Sequence, residues 1–237
     1  VVPQIDYPLK LSKKDTVIFD SKKLENHIIQ QLSYNQTEAS ILVDQITSLV
    51  TEDNKSVLRT AVEKEAPHLM NVMLQSVDPS ERLRFIQIQA VGFYGLYDVA
   101  RDHPETYRQI LQSVSNDDER LQLLQMKNSP GWTVLHYAAF NSATDIVQVI
   151  LESISEEMCY TLLSMEDNAK LTPIHIACIL RNSEVLEVIM RLITIEMGYK
   201  LLQIPDVFGY TPLHLSALQD HTQCIRVIAD SVSSQQL

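Results

Sequence analysis

The sequence predicts an all-α solenoid of stacked helix pairs, and three observations carry that reading. A seven-residue phrase occurs as Thr133-Val134-Leu135-His136-Tyr137-Ala138-Ala139, Thr172-Pro173-Ile174-His175-Ile176-Ala177-Cys178 and Thr211-Pro212-Leu213-His214-Leu215-Ser216-Ala217. Successive copies start 39 residues apart. The first copy is followed by a second apolar helical run, Val147-Gln148-Val149-Ile150-Leu151, and then by a segment ending in paired leucines. A fixed period of this size marks a stacked repeat protein, because a single unit cannot bury its apolar face alone.

The phrase Thr-Pro-Leu-His, followed by an apolar residue and two small ones, resembles the ankyrin repeat, whose motif opens a helix after a tight turn. The resemblance implies an ankyrin-repeat solenoid with short inter-repeat helices and an N-terminal cap. It also implies that the chain is a non-catalytic interaction domain.

From the N-terminus, residues 1–34 do not fit the repeat. Prolines at 3 and 8 exclude a helix over Val1–Pro8, and Thr16-Val17-Ile18-Phe19-Asp20 reads as a short extended run. This stretch is expected to be an extension or cap. Residues 35–54 hold an amphipathic capping helix, Thr37 to Ile46. The repeat domain is expected over 55–237, in units of about 55–91, 92–130, 131–169, 170–208 and 209–237. The first two are degenerate. They rest on apolar register, as where Tyr107-Arg108-Gln109-Ile110-Leu111 echoes Val147 to Leu151. Atypical end units are what a stack requires, since one side of each must face water. The last unit breaks off inside its inter-repeat segment and the chain lacks an initial Met, the pattern expected of a piece of a longer protein.

The period exceeds the roughly 33 residues of the usual ankyrin unit. The surplus lies in 116–126, 155–165 and 194–204, which end in Leu123-Leu124, Leu162-Leu163 and Leu201-Leu202. A Ser-x-x-Glu start and the paired leucines predict a short third helix there. Only five glycines are present. The helix-ending glycine between the two main helices is expected to be replaced by Asn141, Asn182 and Asp220-His221, since Asn tolerates the left-handed conformation. Turns before the units are read at Asn128-Ser129-Pro130-Gly131, Asp167-Asn168-Ala169-Lys170 and Asp206-Val207-Phe208-Gly209.

Composition narrows the function. The formal net charge is −11, and residues 129–237 carry five basic against twelve acidic side chains. Phosphate binding needs clustered Lys and Arg, so nucleic acid is excluded as a ligand. No run of 18 apolar residues exists, so membrane insertion is not expected. Cys159, Cys178 and Cys224 are odd in number and fall at core positions, which predicts buried free thiols and a cytoplasmic or nuclear setting.

His136, His175 and His214 invite a metal reading that stacking geometry refuses. Equivalent positions in adjacent units lie about 8–10 Å apart, whereas zinc needs its ligand atoms within about 2.1 Å of one point. By resemblance these histidines, with Thr133, Thr172 and Thr211, are structural, tying the first helix to the adjoining turn. No nucleophile–base pair, metal motif or phosphate loop appears, so neither catalysis nor a cofactor is expected. The carboxylates Asp117-Asp118-Glu119 and Glu156-Glu157 sit at helix starts, where they favour the positive helix end.

The resemblance also places a partner. Outward positions of the concave face would be Phe140-Asn141, Ile179-Leu180 and Leu218-Gln219 on the first helices, with Trp132, Leu171, Phe208 and Tyr210 on the turn tips. Such a row suits a protein partner offering a basic or an apolar segment, unless the longer inter-repeat segments cover it. Three rivals stand beside a scaffold or adaptor role. One is a regulatory segment of a larger enzyme or channel. Another is an inhibitor-type protein sequestering a basic transcription-factor segment. The third is a microbial effector engaging host proteins.

Overall fold

The computed structural model describes residues 83, 86, 97, 100, 101, 104–114 and 116–233. The expected cap at 1–34, the capping helix at 35–54 and almost all of the 55–91 unit lie outside the described residues. Among the described residues ten helices have defined bounds: α1 (Pro104–Ser113), α2 (Asp117–Leu124), α3 (Val134–Phe140), α4 (Thr144–Glu152), α5 (Glu156–Leu163), α6 (Pro173–Ile179), α7 (Ser183–Leu192), α8 (Ile195–Leu201), α9 (Pro212–Leu218) and α10 (Thr222–Ser233). No strand occurs among the described residues.

Equivalent helices pack on one another in rows. First helices form the row α3–α6–α9, second helices the row α1–α4–α7–α10, and third helices α5 and α8 touch each other. Within a unit, α3 packs on α4, α6 on α7 and α9 on α10. The reason is the apolar spacing. Ile146, Val147, Val149, Ile150 and Leu151 are buried on α4, as are Val185, Leu186 and Ile189 on α7. The small residues Ala138, Ala139, Ala177 and Cys178 let the first helices approach closely, and all four are buried. Cys159, Cys178 and Cys224 are buried free thiols.

The third helices are real elements with their own caps. Asn116, Ser155 and Thr194 hold extended backbone before α2, α5 and α8, and each side chain accepts an N–H from three residues ahead. The paired leucines close each helix into the core, with Leu123, Leu124, Leu162, Leu163, Leu201 and Leu202 all buried. The acidic first turns of α2 and α5 sit at the positive helix ends.

Two local expectations are corrected. The left-handed residues between the paired helices are Ser142 (φ 57°), Arg181 (φ 63°) and Asp220 (φ 56°), still 39 apart, rather than Asn141 and Asn182. Asn182 is instead the residue preceding α7, and its Nδ2 donates to the Ala139 carbonyl of the preceding unit at 2.6 Å. Arg181 tolerates its backbone because its side chain is held across the next unit boundary. Its Nε donates to His221 Nε2 at 2.5 Å and its Nη2 to the Gln219 carbonyl at 3.3 Å.

The second correction is Leu213, whose place in the repeated phrase predicts a core residue between the helices of neighbouring units, alongside Leu135 and Ile174. Its register equivalents Leu135 and Ile174 are 1% and 0% exposed, but Leu213 is 43% exposed. The first two are covered by the unit that follows, and no described residue follows the last unit in the same way. Truncating Ile174 to Ala is therefore expected to destabilise the fold by about 2–5 kcal/mol, whereas Leu213→Ala should cost roughly 1 kcal/mol or less. Denaturant midpoints of the two variants check this; equal losses would contradict the difference in cover.

Candidate functional site

The tips and first helices present the surface on which the outward residues sit. Each tip is a tight turn closed by a backbone bond: Gly131 N–H to the Asn128 carbonyl at 2.8 Å, Lys170 to Asp167 at 3.0 Å, and Gly209 to Asp206 at 3.0 Å. All three donors have positive φ, between 56° and 85°. The carboxylate of Asp167 accepts the N–H groups of Ala169 and Leu171, and Asp206 does the same for Phe208 and Tyr210. Tips are also tied to one another. Asn168 Nδ2 donates to the Ser129 carbonyl at 2.9 Å, and Lys127 Nζ to that of Glu166 at 2.7 Å.

The threonines and histidines of the repeated phrase start each first helix, and His136 also ties its helix to the tip that follows. Thr133 N–H donates to His136 Nδ1 at 3.1 Å, and the Thr133 hydroxyl lies 2.8 Å from the same nitrogen. With Nδ1 accepting, Nε2 carries the proton and donates to the Leu171 carbonyl of the following tip at 3.0 Å. Thr172 and His175 repeat the Thr–His contact at 3.1 and 2.8 Å, but the buried Nε2 of His175 has no hydrogen-bond partner. Thr211 and His214 form the same pair at 3.3 and 2.8 Å, but His214 is exposed. Burial holds the His136 ring near 4, well below its usual 6.5, with the Leu171 bond opposing only in part. Burial lowers His175 in the same direction.

The proposed contact residues divide by cover. Phe140, Asn141, Leu180, Phe208, Tyr210, Leu218 and Gln219 are exposed, Phe208 at 80% and Leu218 at 64%. Trp132, Leu171 and Ile179 are half-buried. Trp132 stacks against Phe140 with ring centres 5.0 Å apart, and its Nε1–H donates to Asp167 in the next tip at 3.0 Å. Leu171 packs against the core. The structure thus joins Trp132 with Phe140 in one aromatic contact and leaves Leu180, Leu218 and Phe208 open to solvent. The third helices lie elsewhere and do not cover these exposed residues.

Sequence reasoning passed over a second set of exposed side chains. Tyr160 and Tyr199, 39 residues apart on α5 and α8, are both exposed, and Tyr160 lines a cleft with Glu156, Glu157, Glu196 and Lys200. Their shared register with Leu121 was the available signal. Lys200 is paired with Glu196 at 2.7 Å. Among the described residues no group of three His, Cys, Asp or Glu side chains is placed to hold a metal, and no helix is long and apolar enough to cross a membrane.

Two comparisons with protein families agree with this geometry. Residues 153–236 match the family described as ankyrin repeats (3 copies), and residues 130–159 match the single ankyrin repeat. Residues 130–236 are ankyrin repeats. No curated protein matches the chain. The ankyrin assignment explains the stacked helix pairs and the Thr–His tie, and it makes this region of the chain a module of a kind that generally binds proteins and is typically non-catalytic. The third helix is this chain's elaboration of the ankyrin unit.

The buried histidines give the ankyrin stack a pH dependence whose sign follows from their depressed affinity for protons. The unfolded chain takes up a proton at each ring near pH 6.5, while folded His136 resists until about 4. Its contribution is complete above 6.5 and is lost as pH falls toward 4, by about 3 kcal/mol at the lower end. Unfolding midpoints should fall over that window. The His136 ring should remain neutral by ¹⁵N NMR at pH 5.5, and a ring titrating near 6.5 would overturn the account.

Proposed function

We propose that the chain is a non-catalytic scaffold or adaptor that binds another protein on the face formed by its first helices and turn tips. The observation that carries this reading is the set of exposed apolar side chains at the C-terminal ends of successive first helices, Phe140, Leu180 and Leu218, with Phe208 and Tyr210 on the last tip. A folded protein gains nothing by exposing such groups in series, and rows of this kind serve as dry contact centres in interfaces. Asn141 and Gln219 would supply polar contacts at the edge, while Trp132, Leu171 and Ile179 would back the centre from below.

The same proposal takes the repeat domain to extend over 55–237 in five units behind a cap at 1–34 and a helix at 35–54. It takes the working compartment to be the cytoplasm or the nucleus. The acidic balance of residues 129–237 would attract a basic partner segment at the rim and speed its approach.

Affinity capture on the chain, with mass spectrometry of retained proteins, identifies the partner; a double variant then tests the face. Phe140→Ser with Leu180→Ser is expected to weaken binding by about thirtyfold or more, the usual loss on truncating interface anchors. Circular dichroism and the unfolding midpoint should stay near those of the parent. A folded variant that binds normally would refute the face. Salt separates the two partner chemistries, since a basic segment should be released steeply as salt rises and an apolar one only weakly.

A further inference from the structure

We infer that the third helices α2, α5 and α8 form a second docking surface, which takes an extended, arginine-bearing segment of another protein across the cleft between α5 and α8. The surface uses none of the residues of the first-helix and tip face proposed above and does not rest on that reading.

The helices α5 and α8 pack on each other, and α8 packs on the second helix α10. Between α5 and α8 lies a cleft of about 670 Å³, lined by Glu156, Glu157 and Tyr160 on one side and by Glu196, Met197 and Lys200 on the other. Tyr160 is 38% exposed although α8 follows it in the stack, and its register equivalent Tyr199 is exposed as well. The packing of α5 is carried by Met158, Cys159, Leu162 and Leu163, all buried. Its acidic first turn is explained by the positive helix end. Neither packing nor capping calls for an aromatic ring in the wall of an open cleft, and rings so placed serve as contact points.

Charge selects the occupant. Arg120 and Lys200 are the only basic residues on these three helices, and each is held within its own helix, by Asp117 and by Glu196. Asp118, Glu156 and Glu157 are exposed and make no ion pair among the described residues. A second copy of the chain would bring the same acidic edge and a net charge of −11, so it is the wrong partner. A guanidinium over the Tyr160 ring would meet an aromatic face and the cleft carboxylates together. Spacing sets the form of the segment. Asp118, Glu157 and Glu196 stand 39 residues apart in one register, and packed helices lie about 8–10 Å apart. A polyproline-II segment, with three residues per turn and a rise of about 3.1 Å, presents every third side chain on one side at about the same interval. Arginine at every third position therefore keeps pace with the helices.

The test titrates the chain into a fluorescent peptide of three Arg-Pro-Pro repeats with blocked ends and follows its anisotropy. Binding is expected at low salt and should weaken steeply as salt rises. A peptide of the same composition with its arginines consecutive should bind several-fold more weakly. Tyr160→Ala with Glu157→Gln should lower affinity for the repeating peptide about tenfold or more, while Tyr160→Phe, which keeps the ring face, should bind as the parent does. Both substituted side chains are exposed, and circular dichroism checks the fold. Glu157→Gln alone gives a second reading, a loss of about threefold. The Phe140→Ser, Leu180→Ser variant should bind this peptide normally, which keeps the two surfaces distinguishable. Absence of binding at low salt would overturn the inference, as would a folded Tyr160 and Glu157 variant with undiminished affinity. Equal binding of the consecutive-arginine peptide would reduce the effect to bulk charge and overturn it too. A loss confined to the Phe140 and Leu180 variant would place the basic segment on the first helices instead.

Discussion

The structure depends on a neutral histidine that belongs to two units at once. The first helices α3, α6 and α9 have seven residues each, well short of the dozen or more that an isolated helix needs in water. Each is started by a Thr–His capping box, in which the His ring satisfies the Thr backbone N–H. For His136, the opposite edge of the ring then reaches the carbonyl of the next tip. Helix initiation and unit-to-unit attachment are thereby one interaction. A ring that spans two buried partners must be uncharged, since its only available acceptor bond at Nδ1 would vanish on protonation.

The same logic explains how this chain dispenses with glycine between the helices. Left-handed backbone at Ser142, Arg181 and Asp220 costs each residue something, because a Cβ crowds the following carbonyl. At Arg181 the strain is offset by a charged-group hydrogen bond to His221, itself fixed by donating Nδ1–H to the Cys178 carbonyl. The local conformation of one unit is thus held by the side chains of the next. Stability in such a stack is a property of neighbours, and the end of the row differs from its middle for that reason alone.

This is also where sequence reading reached its limit. The stack, the third helices and the helix caps were legible because they depend on the residue types inside one 39-residue frame, and those recur. Asp220 was placed correctly, but the left-handed positions at Ser142 and Arg181 were misplaced by one residue because Asn is the intrinsic favourite, whereas Arg181 is tolerated through a partner 40 residues away. Leu213 read as core because its letters match those around Leu135 and Ile174; only the presence or absence of a following unit separates the three. Likewise Trp132 and Leu171 looked outward by register, but an indole bond to Asp167 and packing on the core draw them half inside.

A division of labour within the repeat follows from these contacts. Thr and His recur unchanged at every tie, and the buried apolar positions vary only among similar shapes, because a misfit there would propagate to both neighbours. The helix ends obey no such restraint. Phe140, Ile179 and Leu218 are equivalent in register, as are Asn141, Leu180 and Gln219, yet they differ in size and polarity. Neighbouring rows in packed helices stand about 8–10 Å apart, so these side chains form an extended surface whose chemistry is set position by position. Packing fixes where each such residue stands and leaves its identity free, and a surface of that kind can be fitted to a partner without disturbing the stack beneath it.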